Sequence, residues 1–112
     1  MELMRIWRTR AAAGCEDEYE RFAAERSLPM FVAQNGFGGL VFGRSGSDCI
    51  VVTFWRNEEA VAQLDRSPWY RETVAAIETT GFLVGDASLE VYPIFGSARS
   101  EQHEETRDKR AR

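Results

Sequence analysis

The residues of greatest chemical reach in this sequence are aromatic: Trp7, Trp55, Trp69 and Tyr70, with Thr53 two positions before the second tryptophan. A tryptophan offers a broad apolar face on which a flat molecule can stack, and one N–H donor. Tyr70 adds a hydroxyl that could orient or protonate a substrate. In the apolar run 50–55, strand alternation puts Val51, Thr53 and Trp55 on one face and Ile50, Val52 and Phe54 on the other. Trp55 then has two readings, the wall of an aromatic-binding pocket or a core residue covering a helix–strand corner. Trp7 either faces the same pocket or fills the interior. Trp69 and Tyr70 follow Pro68 at a helix start, where aromatics contact a ligand or simply anchor packing. Arg5 shares the strand face of Trp7, and could meet an anionic substrate or remain solvated or salt-bridged.

Other chemistries are excluded by residue type and spacing. The single histidine, His103, lies in a charged tail, so no histidine-based metal site, haem ligation or triad can sit in the folded body. Glu58 and Glu59 are adjacent helix positions that diverge by about 100°, and first-turn glutamates already have a role at the positive helix end. The segment from Gly36 to Val41 lacks the third glycine of a dinucleotide fingerprint and precedes a strand. Asp48, Asp65, Glu78 and Asp86 show no metal-ligand spacing. No metal and no cofactor are expected. Cys15 and Cys49 have no CxxC spacing and read as reduced, packed thiols. A formal charge of −4 has the wrong sign for a general nucleic-acid binder. No apolar run is long enough to span a bilayer, and three arginines interrupt the N-terminal segment, so neither membrane nor secretion is expected. The expected location is cytoplasmic.

The elements that must position the aromatic residues follow from periodicity. Residues 3–9 alternate as a strand, and Gly14 breaks it. Acidic residues 16–20 load the first turn of a helix whose Tyr19, Phe22 and Ala23 form an inward stripe. Pro29 should kink or split that helix near 26–28, with a shorter piece over 29–34. Residues 40–44 and 49–56 form a hairpin about the turn at 45–48. Asn57 caps a helix from Glu58, and Ser67-Pro68 restarts a helix that ends at Gly81. The last strand is expected over 89–95. The order β-α-β-β-α-β predicts an α+β, ferredoxin-like sheet with both helices on one face. Residues 1–96 form this single domain, and 97–112 make a charged tail expected to be disordered. A strand apolar at both parities needs cover on both faces. A symmetric homodimer packing sheet against sheet, burying about 1,600 Å² or more, would supply the second cover.

The strand ending in Trp55, the following Arg-Asn57-Glu-Glu59-Ala60, then Ser67-Pro68, Gly81-Phe82 and a final apolar strand together resemble a known family. It is that of the antibiotic-biosynthesis-monooxygenase-like dimeric α/β barrels, and the likeness spans residues 3 to 95. The resemblance implies a homodimer with a pocket for a small apolar or aromatic molecule in each subunit, between helices and sheet. It implies a cofactor-independent monooxygenase-like activity on a small aromatic or quinol-type molecule. The alternative is a non-catalytic, dimeric small-molecule-binding domain. Trp55 carries over from the family pattern. Oxygenating members place an asparagine four positions before that tryptophan and a pocket tyrosine six after it; here those positions hold Val51 and Val61. Haem-degrading members need a histidine on the second helix, and residues 68–80 contain none. The candidate substrate-binding set is therefore Trp55, Thr53, Trp7, Trp69 and Tyr70, with the catalytic residue unknown.

Overall fold

A computed structural model describes residues 1–98 and Ser100. Its four strands are β1 Leu3–Ala11, β2 Phe37–Ser45, β3 Asp48–Trp55 and β4 Leu83–Pro93. They form one antiparallel sheet in the order β2-β3-β1-β4. Helices α1 Glu16–Phe22 and α2 Leu28–Val32 join β1 to β2, while α3 Glu58–Arg66 and α4 Pro68–Glu78 join β3 to β4. This is the ferredoxin-like α+β arrangement expected from the periodicity. The expected tail at 97–112 lies mostly outside the described residues, as does His103.

Alternation does the sorting that the sequence suggested. Cys49, Val51, Thr53 and Trp55 of β3 are buried, whereas Ile50, Val52 and Phe54 are only half-buried. Helical residues cover the first set: Met30, Phe31, Ala60 and Leu64 pack with Val51 and Trp55 in one core cluster. A second cluster joins Ala11 and Cys49 to Tyr19, Phe22 and Ile77. On the opposite face, Ile6 lies in register with Val52, and Met4 with Phe54 and Tyr92. Val41 pairs with Val52 and extends this apolar area, itself well exposed. Toward the other end of the strands that face becomes charged, with Arg8 bridged to Glu90 at 3.4 Å and Arg10 to Asp48 at 3.2 Å.

Two expected boundaries move. Pro29 does not split the first helix, which runs on from α1 into α2 through a π-helical turn at Ala23–Ser27. The widened turn lies just before the proline, where a regular helix would need the N–H that proline lacks. The last strand starts at Leu83 rather than 89, because its early residues pair with Arg10 and Ala11 across a register shift. Gly85, at φ +73°, takes the backbone conformation that this irregularity requires. The caps fall where expected. Asn57 Oδ1 accepts from the Ala60 N–H at 2.9 Å, and Ser67 Oγ from the Tyr70 N–H at 3.2 Å.

Candidate functional site

A cavity of about 220 Å³ lies over β1, between the sheet and the helices α1, α2 and α4. Its floor is one alternation of β1, Arg5, Trp7 and Thr9, continued by Val51 and Thr53 on β3. Phe31 and Tyr70 reach over from the helices, and Phe42 closes the β2 side. The lining is thus mainly apolar and aromatic with a few polar atoms, the composition of a small-molecule site.

The five sequence candidates separate here. Trp7, Thr53 and Tyr70 line the cavity together. Trp55 does not, and the expectation that it walls a pocket gives way to packing. It is 1% exposed, and its ring meets those of Phe31 and Phe37 edge-on at 6.4 and 5.8 Å between centroids. Its one polar atom, the indole N–H, donates to Thr53 Oγ1 at 2.7 Å. Trp69 is also not part of the lining; it is 47% exposed on the outer side of α4. Its neighbour Tyr70 takes the inward position because adjacent helical side chains diverge by about 100°.

Electrostatics concentrate on Arg5. The residue is 3% exposed, although it carries a charge that burial alone would penalise. Its Nη2 donates to Asp65 Oδ1 at 3.1 Å and to the Tyr70 hydroxyl at 2.9 Å. Two partners on one nitrogen fix the guanidinium fork against the side of the cavity. Tyr70, accepting from Arg5, keeps its own hydrogen for donation. At the far end, burial pushes the Tyr19 phenol well above its ordinary range, helped by the neighbouring Cys49 thiol. Burial likewise raises the Cys49 thiol. Both groups remain neutral there, so neither serves as a base near neutrality. Cys15 and Cys49 are free thiols.

Thr9, Phe31 and Phe42 were not anticipated as lining residues. Thr9 was legible, since it continues the Arg5–Trp7 alternation. Phe31 was not, because the π-helical turn resets the helical phase before it. Among the described residues, no cluster of three His, Cys, Asp or Glu could hold a metal ion. No described helix is long and apolar enough to cross a membrane.

No family model matches the chain, and no curated protein matches it. Solved structures do. The chain is similar to SnoaB, a cofactor-independent oxygenase from Streptomyces nogalater, at 16% identity and a TM-score of 0.73, covering 88% of this chain and 98% of that one. It is similar to Rv0793 from Mycobacterium tuberculosis at 16% identity and a TM-score of 0.73, covering 88% and 100%. A Deinococcus radiodurans protein, provisionally assigned as an antibiotic biosynthesis monooxygenase, matches at 10% identity and a TM-score of 0.73, covering 88% and 97%. The chain has the antibiotic-biosynthesis-monooxygenase fold. At these identities the likeness is one of fold.

Proposed function

We propose that the protein binds a small aromatic or quinol-type molecule in the cavity over β1 and oxidises it with molecular oxygen without a cofactor. The observation that carries this reading is the cavity itself. Trp7, Phe31, Phe42 and Tyr70 supply ring faces, while Arg5, Thr53 and Tyr70 supply the polar contacts that fix orientation. Cofactor-free oxygenation asks little more of a protein. An electron-rich substrate such as an anthrone gives four electrons from its methylene carbon to one oxygen molecule, leaving a carbonyl and a water. The site must hold the substrate in one pose, exclude bulk water and favour the anion that reacts with oxygen. That SnoaB, with this fold, is described as a cofactor-independent oxygenase supports the assignment.

A second reading has its own observation. Val51, at the position where oxygenating members carry asparagine, lines the cavity and brings no hydrogen bond. A site so furnished would bind aromatics without turning them over. Oxygen uptake with a panel of anthrones and hydroquinones separates the two. The first reading predicts consumption above the uncatalysed rate that Trp7→Ala removes. Thermal stabilisation by the same compounds without oxygen uptake supports the second.

The homodimer belongs to the same proposal. Among the described residues no helix lies over the apolar face of Met4, Ile6, Val52, Phe54 and Tyr92, and a second copy related by a twofold axis would cover it with the same residues. Light scattering on purified protein should give twice the chain mass. The monomer mass would refute the dimer. The negative net charge and the absence of a long apolar run support a protein that needs neither nucleic acid nor membrane, in keeping with a cytoplasmic location.

A further inference from the structure

Two buried polar atoms on β1 lack any hydrogen-bond partner among the described residues: Arg5 Nε and Thr9 Oγ1. Both residues line the cavity, and they are 3% and 8% exposed. Burying a donor without a partner is costly, and a buried unmatched charge-bearing group more so. Both residues belong to the wall of the same cavity, and Trp7 lies between them on the same strand face. Four strand residues put their Cα atoms roughly 13 Å apart, too far for one ligand atom to meet both.

We propose that the cavity selects a flat, two-ended ligand, with an anionic oxygen against Arg5, a hydrogen-bonding oxygen against Thr9, and its rings across Trp7. The inference rests on the aromatic-binding reading above and specifies the substrate class. The charges decide which end is anionic. Arg5 is held at the Tyr70 end of α4, and its partner Asp65 is 53% exposed, so solvent screens that carboxylate more than the cation inside. Glu78, exposed and also on the lining, follows Ile77 at the end that packs with Ala11. An anion is therefore drawn to Arg5 and repelled from the Thr9 end. A ligand oxygen there meets only a neutral hydroxyl, which can donate or accept. A phenolate or enolate held at Arg5 is also the form of a quinol that reacts with oxygen, which ties recognition to the proposed chemistry.

The test is a calorimetric titration with three probes: 6-hydroxy-2-naphthoate, 2-naphthoate and 2-naphthol. Wild-type protein should bind 6-hydroxy-2-naphthoate tightest and 2-naphthol weakest, with about tenfold separating the carboxylates from the naphthol. Arg5→Lys should lower affinity for both carboxylates by about tenfold and change 2-naphthol by less than twofold, because lysine keeps the charge but loses the planar fork. Thr9→Val is nearly isosteric and removes a hydroxyl with no partner, so the free protein should melt at a higher temperature. The same variant should bring 6-hydroxy-2-naphthoate down to the affinity of 2-naphthoate. If all three probes bind equally and Thr9→Val keeps wild-type affinities, the two-ended site is refuted while the aromatic cavity stands. If no probe binds the wild-type protein, both proposals fall.

Discussion

Two tryptophans share one face of one sheet and have opposite fates. Around Trp55, helix α3 and the α2 end of the first helical arm close down on β3, and Phe31, Phe37, Ala60 and Leu64 fill the space. Around Trp7, the neighbouring strand is spanned by α1, α2 and α4 without being filled, and the cavity remains. The residue type is the same and so is the strand alternation. What differs is the close approach of α3. Gly36, at φ +83°, sits so near α3 that a Cβ there would lie 2.5 Å from that of Ala60. One end of the face is therefore core, and the middle borders the cavity.

The contrast can be broken most forcefully at its filled end. Trp55→Ala should cost about 3–5 kcal/mol in chemical denaturation, through a cavity and a lost partner for the Thr53 hydroxyl. Trp7→Ala, at a half-buried position beside existing empty space, should cost less than half as much. Equal costs would mean that the two ends are packed alike. Gly36→Ala comes next, because it combines a forced shift against Ala60 with a backbone conformation that L residues rarely adopt. A loss of about 1–3 kcal/mol is expected, and an unchanged melting temperature would show that α3 does not rest on that approach. Asn57→Ala removes the cap of α3 and should cost about 1 kcal/mol.

The smallest effect concerns the far wall of the cavity. Burial raises both Tyr19 and Cys49, so each is held neutral in the folded protein. Their contribution to stability is complete below the unfolded thiol value of about 8.5, and is lost as pH rises through the folded values. Melting temperatures should fall between pH 8 and 10, and Cys49→Ala should flatten the onset of that fall. Alkylation at pH 8 should reach the partly exposed Cys15 before the buried Cys49.

The sequence was a better guide to the fold than to the site. Strand alternation, two side-chain caps and a proline at a first helical position are local signals, and they located β1, the hairpin, α3 and α4. They also put Trp7 and Thr53 on inward faces. Two features depended on contacts that no local pattern encodes. The early half of β4 is strand because β1 offers partners beyond Arg8. Trp55 is core because Ala60 of α3, 24 residues further along the sequence, packs against Gly36. Trp69 and Tyr70 were indistinguishable by type, and only the phase at which α4 meets the sheet sends one out and the other in.

In the proposed function, ligand recognition belongs to Trp7 and not to Trp55. Thermal shift with 2-naphthol tests it most directly, comparing wild type, Trp7→Ala and the conservative Trp55→Phe. Ligand at ten times its Kd should stabilise the wild type by about 1.4 kcal/mol, a rise of several degrees. That rise should persist in Trp55→Phe, despite its lower starting temperature, and vanish in Trp7→Ala. A shift that survives Trp7→Ala and disappears in Trp55→Phe would assign recognition to Trp55 instead.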